Sequence, residues 1–144
     1  MFQVGVDCEE ISRFRRLPYN KKKNFYKRIF TRREIEYCIS CRNPYPRFTA
    51  RFAAKEAVVK ALAGIAGLFY SDIEVRINKN GRPEIYIDRK KFKEVRRFTV
   101  SLSLTHSNSH AIAFAVVANN KTSGKETMRA LRKDISLLKK KLNR

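Results

Sequence analysis

The chain has 144 residues, 43% of them hydrophobic, with 33 basic and 13 acidic residues for a net charge of +20. That length suits one domain with its own core, and that apolar content excludes wholesale disorder. No apolar run approaches the ~20 residues of a membrane span, and Asp7, Glu9 and Glu10 interrupt the N-terminus too early for a signal peptide, so the cytoplasm is the default setting. The positive field draws anionic partners (nucleic acid, anionic lipid, acidic proteins or phosphorylated small molecules) without choosing among them.

In chain order, Phe2-Gln3-Val4-Gly5-Val6-Asp7 reads as a strand over 2–7 that ends on a carboxylate. Ile11, Phe14 and Leu17 then share one helical face, in a region crowded by Arg13, Arg15, Arg16, Lys21, Lys22, Lys23, Lys27 and Arg28. Thr31-Arg32-Arg33-Glu34 is a capping box, so a helix begins at 32 and carries Ile35, Cys38 and Ile39 inward. Asn43-Pro44-Tyr45-Pro46 breaks it. A longer helix is expected over 46–63, its alanines permitting close packing, with Gly64 and Gly67 ending it as left-handed caps or a turn.

A hairpin follows over 72–77 and 83–88, turning at Asn78-Lys79-Asn80-Gly81, where Asn-Gly points to a type I′ turn. A short basic helix fills 89–96. Residues 98–105 alternate, Phe98, Val100, Leu102 and Leu104 on one face and Thr99, Ser101, Ser103 and Thr105 on the other. After a turn at Ser107-Asn108-Ser109, 110–118 reads as a buried strand. Helices early and mostly antiparallel strands late give an α+β domain. Beyond a linker at 121–124, Met128, Leu131, Ile135, Leu138 and Leu142 form a short heptad seam that either zips onto copies of itself or lies on its own domain.

Three cysteines argue against a disulfide framework. Cys38 and Cys41 have the spacing of half a zinc site that only His106 and His110 could complete; partly buried thiols at a helix end are the plainer reading. Two acids stand out instead. Asp7 ends a strand and Glu56 lies within a helix amid basic residues, an oxygen donor pair suited to a hard cation shared with a phosphate. Glu56 and Lys60 are four apart, hence on one helix face. Taken singly, Asp7 could cap a helix starting at 8, and Glu56 could be a solvated residue paired with Lys55 or Lys60.

In order, Gly5-Val6-Asp7-Cys8-Glu9-Glu10-Ile11, Arg28-Ile29-Phe30-Thr31-Arg32-Arg33-Glu34, Arg51-Phe52-Ala53-Ala54-Lys55-Glu56-Ala57, Asp72-Ile73-Glu74-Val75 with Asn80-Gly81-Arg82-Pro83, and Ser101-Leu102-Ser103-Leu104-Thr105-His106 resemble the holo-acyl-carrier-protein synthases, the small 4′-phosphopantetheinyl transferases. The resemblance covers roughly 1–118. It implies an α+β half-unit with helices packed on a mostly antiparallel sheet, usually a homotrimer with active sites between subunits. It also implies transfer of the phosphopantetheine arm of coenzyme A to a serine of an acidic apo acyl-carrier protein, releasing adenosine 3′,5′-bisphosphate. Asp7 and Glu56 would hold Mg²⁺, and the serine proton would fall to Glu56 or to a water on the metal. Lys60, Arg51 and His106 would grip the coenzyme, and Arg13 and Arg28 would dock the carrier. The domain division expected is a transferase unit over 1–119 and a basic amphipathic helix over 120–144. After Lys60 the chain departs from the family's Phe-Gly-Thr-Gly turn, reading Ala61-Leu62-Ala63-Gly64-Ile65-Ala66-Gly67. Two other readings stand beside this one: a basic nucleic-acid-binding module, and a catalytically inactive relative kept for assembly. No RNA-binding aromatic pattern, helix-turn-helix glycine or zinc-finger spacing supports the first, which leaves non-specific nucleic-acid contact.

Overall fold

A computed structural model describes residues 2–63 and 65–120. The heptad seam and the linker before it lie outside the described residues, as does Gly64. The elements are β1 (Phe2–Glu10), α1 (Ile11–Arg15), α2 (Lys23–Ile29), α3 (Arg32–Ile39), α4 (Tyr45–Ala61), β2 (Ile73–Ile77), β3 (Pro83–Ile87), β4 (Phe98–His106) and β5 (His110–Asn119), with 3₁₀ turns at Tyr70–Asp72 and Lys93–Arg97. One antiparallel sheet has the order β1-β5-β4, and β2-β3 is a separate antiparallel hairpin. This is the α+β architecture expected, and among the described residues no helix is long and apolar enough to cross a membrane.

Alternation sets the faces of the three-stranded sheet. Ala111, Ala113, Ala115 and Val117 of β5 are buried with Ala53, Ala54, Ala57, Val58 and Ala61 of α4, and Val100, Leu102 and Leu104 of β4 pack against them. Small residues on both sides bring the helix unusually close. At Gly5 on β1 an added Cβ would stand 1.9 Å from the Ala57 carbonyl oxygen, so only glycine fits beneath α4. The other flank of α4 presents Phe48 and Phe52 to a second, aromatic core of Phe14, Tyr26, Ile29, Phe30, Ile35 and Cys38. Each such ring taken from water contributes roughly 1.5–3 kcal/mol. α4 is therefore a spine with cores on two sides, which explains why most of its length is buried.

The capping box forms as expected: Thr31 accepts from the Glu34 N–H, and the Glu34 carboxylate accepts from the Thr31 N–H at 2.8 Å. Glu34 does more. Its Oε2 accepts from Lys55 Nζ at 2.7 Å and its Oε1 from the Val75 N–H at 2.9 Å, so one carboxylate ties α3 to α4 and β2.

Several expectations are corrected. The first strand does not stop at Asp7; β5 continues to pair with it as far as Glu10↔His110, which places Asp7 within the strand, opposite Ala113. Asp7 therefore caps no helix, and α1 starts only at Ile11. Ile39 is 47% exposed, because α3 turns Glu34 inward with Ile35 and Cys38 instead. The hairpin turn is not type I′. Among the described residues Gly81 alone has a positive φ, of 76°, while the Asn78 side chain accepts from the Asn80 and Arg82 N–H groups and holds a longer loop with one left-handed residue. Gly67 is not left-handed, and the 89–96 segment is helical only as the 3₁₀ turn Lys93–Arg97. β5 is buried on one face; Ile112 and Phe114 on the other are exposed.

Candidate active site

On β1, Gly5, Asp7 and Glu9 share the face turned to α4, and the last turn and a half of that helix carries Glu56 and Lys60 over them. Lys60 Nζ donates to Asp7 Oδ1 at 2.8 Å and to the Val6 carbonyl at 3.0 Å. One helical turn back, Glu56 Oε1 accepts the Tyr70 hydroxyl at 2.6 Å. Lys60 is held protonated above its ordinary range, first by its hydrogen bond to Asp7 and further by the charges of Asp7, Glu56 and Glu9. The Tyr70 phenol is pushed up to about 12, first by its bond to Glu56, then by burial, then by the charges of Glu56 and Asp7. Both acids thus act on the same lysine and the same phenol, and the two carboxylates read from sequence meet at one locus.

The donors suit a hard cation. Oδ1 of Asp7 is occupied by Lys60, whereas Oδ2 is buried with no hydrogen-bond partner, and a buried carboxylate oxygen left without a donor is costly unless a cation takes it. Among the described residues no group of three or more His, Cys, Asp or Glu could hold a metal. Two acids make a partial shell, of the kind Mg²⁺ completes with water and substrate phosphates. Cys38 is buried and Cys41 half-buried at the end of α3.

Of the remaining expected residues, Arg13 borders this cluster through Glu9, whereas Arg51 and His106 lie apart from it. His106 ends β4, and β5 lies between that strand and the one that carries Asp7. With Arg47 and Arg51 of α4, Tyr37 of α3 and Gly81 and Pro83 of the hairpin, His106 lines a separate cleft of about 180 Å³. Arg51 is only 5% exposed; its guanidinium lies 4.2 Å from the Tyr37 ring centre and its Nε is buried without a partner. A single chain therefore displays two separate clusters: an acidic one with a lysine at the β1 edge, and a cationic one at the β4 edge. Arg13 is bonded to Glu9 at 2.7 Å and rests over the Phe52 ring, while Arg28 is exposed on α2. Sequence reading missed Tyr70, Arg47 and Tyr37. Glu56 and Lys60 announce each other by helical spacing, but nothing local marks Tyr70 as reaching Glu56.

A family model for the 4′-phosphopantetheinyl transferase superfamily matches residues 3–115. The holo-[acyl-carrier-protein] synthase of Chlamydia caviae is 45% identical over 115 residues, 78% of this chain and 93% of its own length. The chain belongs to the holo-[acyl-carrier-protein] synthases of that superfamily. The solved synthase of Neisseria meningitidis superposes with a TM-score of 0.72 at 30% identity, over 81% of this chain and 98% of its own. That of Helicobacter pylori, solved with coenzyme A, gives 0.70 at 28% identity, over 80% and 99%. The family membership makes the chain a transferase and agrees with the half-unit fold; both clusters sit within the matched span.

Proposed function

We propose that this chain moves the 4′-phosphopantetheine arm of coenzyme A onto a serine of an apo acyl-carrier protein, in a Mg²⁺-dependent reaction that releases adenosine 3′,5′-bisphosphate. The observation that carries the reading is the buried, unpartnered Oδ2 of Asp7 beside Lys60 and Glu56. The coenzyme A bound to the Helicobacter pylori synthase supports the choice of donor.

Mg²⁺ held by Asp7 and Glu56 would withdraw charge from the diphosphate of the coenzyme. Lys60, half-exposed beside Asp7, neutralises a phosphate oxygen from the same side. The serine proton passes to Glu56 or to a water beside it, the serine oxygen bonds to the phosphorus bearing the pantetheine arm, and the bond from that phosphorus to the oxygen of the nucleotide half breaks. Such a base contributes roughly 10²–10⁴ in rate, and the in-line placement of the two oxygens contributes the rest.

Arg51 and His106 meet the nucleotide phosphates from the cationic cluster. Because β5 separates the halves within one chain, this reading joins the Asp7 half of one copy to the His106 half of another, in a homotrimer. The exposed apolar side of the sheet supports association: Phe2, Val4 and Val6 on β1 and Ile112 and Phe114 on β5 all face outward, Val4 being 62% exposed and Val6 58%. Arg13 and Arg28, with Lys21, Lys22, Lys23 and Lys27, steer an acidic carrier, raising the on-rate more than the affinity.

The test is release of adenosine 3′,5′-bisphosphate from coenzyme A, followed chromatographically with an apo carrier and Mg²⁺. The wild type releases it; Asp7→Ala and Glu56→Ala are each slower by about 10²-fold or more. Variants as active as the wild type would remove both acids from the reaction.

A further inference from the structure

Tyr70 opens the 3₁₀ turn Tyr70–Asp72 that leads into β2. The turn is closed by the Phe69 N–H donating to Asp72 Oδ2 at 3.0 Å. Within it Tyr70 is held at three points. Its carbonyl accepts from the buried Lys55 Nζ at 2.9 Å, its ring meets Phe52 edge-to-face with centroids 5.5 Å apart, and its hydroxyl donates to Glu56 Oε1 at 2.6 Å. Lys55 and Glu56 are neighbours on α4, one pointing into the core and the other toward the surface. The two thus grip the same tyrosine by its backbone and by its phenol.

That arrangement does more than pack a ring. Phenylalanine would fill the same space against Phe52 and leave the carbonyl to Lys55; only the bond to Glu56 needs the hydroxyl. A half-buried glutamate has three rotatable bonds and would otherwise sample several rotamers. A short bond from a ring anchored at its other end removes that freedom before any ligand arrives, and outer contacts of this kind tune how a carboxylate meets a metal. We propose that Tyr70 is a positioning residue of this enzyme, its hydroxyl fixing the Glu56 carboxylate in the orientation that receives the divalent cation. The inference rests on the function proposed above and assigns it a residue outside the acid pair.

The experiment is calorimetric binding of coenzyme A to the full chain with and without MgCl₂, for the wild type, Tyr70→Phe, Glu56→Gln and the double variant, together with their melting temperatures. Tyr70→Phe is expected to melt like the wild type and to bind coenzyme A equally without Mg²⁺, but to lose roughly tenfold of the Mg²⁺-dependent gain in affinity. In the Glu56→Gln background the same change should cost nothing further, since the phenol acts through that carboxylate. Three outcomes overturn the proposal: a full Mg²⁺ response in Tyr70→Phe, equal losses with and without Mg²⁺ alongside a lowered melting temperature, or additive losses in the double variant. A wild type whose affinity for coenzyme A ignores Mg²⁺ would bring down the catalytic reading itself, a failure distinguishable from that of Tyr70 alone.

Discussion

Lys55 and Glu34 form an ion pair at 2.7 Å with 0% and 1% of their side chains exposed. Burial pushes the Lys55 ammonium down, and Glu34 opposes that shift. The lysine also donates to the carbonyls of Ile29, Tyr70 and Ile73, so every donor it has is used against three other segments. Removing one member of a buried pair leaves the other uncompensated, and Lys55→Met is expected to cost about 3–5 kcal/mol in denaturant unfolding. Adding Glu34→Gln should recover only part, because the three carbonyls still lack a donor; full recovery would show that the pair is dispensable. Two other buried groups set a pH limit. Burial pushes the Cys38 thiol from 9.0 up to about 12 and raises the Tyr26 phenol above its usual 10.0. The folded chain keeps both protons after the unfolded chain has released them, so stability is full below about pH 9 and falls as pH rises through the alkaline window. Unfolding in urea at pH 8 and pH 10.5 checks this; Cys38→Ala should flatten part of the decline, and an unchanged midpoint between the two pH values would contradict it. Local sequence announced Glu34 as a cap and Glu56 with Lys60 as a helical pair. It could not announce that Glu34 is buried or that Lys55 finds it, since those contacts join residues 21 apart in the chain.

Among the elements, β1 and α4 decide where Asp7 sits. Gly5 allows the strand to lie directly beneath the Ala57 carbonyl, and Asp7 follows two residues later on the same face. Gly5→Ala would drive a methyl group into backbone, which cannot move aside as a flexible side chain can. The expected cost is about 1–3 kcal/mol from overpacking, with the strand displaced and transfer activity lowered alongside stability. Paired measurement of denaturant unfolding and carrier modification tests it; a variant of wild-type stability would show that the two elements have slack. The helical stretches and the alternation of β4 were readable because propensity and period agree there. The end of β1 and the form of the hairpin turn were not, since the first depends on how far β5 runs and the second on the Asn78 side chain rather than on the Asn-Gly pair.

For the whole molecule, the separation of the two clusters has a direct consequence. If each active site joins two copies, an Asp7→Ala chain and a His106→Ala chain disable opposite halves. Each alone should be nearly inactive, while mixed oligomers regain roughly a quarter of wild-type activity, from interfaces that combine two intact halves. No recovery on mixing would place the whole site in one chain. On the proposed reading, a chain with this positive excess meets an acidic carrier through a field that added salt screens, so the on-rate should fall as salt rises. The family was legible in the ordered motifs, but the partition of its residues between two edges was not, because it follows from strand order rather than from spacing. The most direct measurement is the intact mass of an apo acyl-carrier protein after incubation with this protein, coenzyme A and Mg²⁺. The account predicts a gain of one phosphopantetheine arm that disappears when EDTA replaces the metal; an unmodified carrier in both tubes would contradict it.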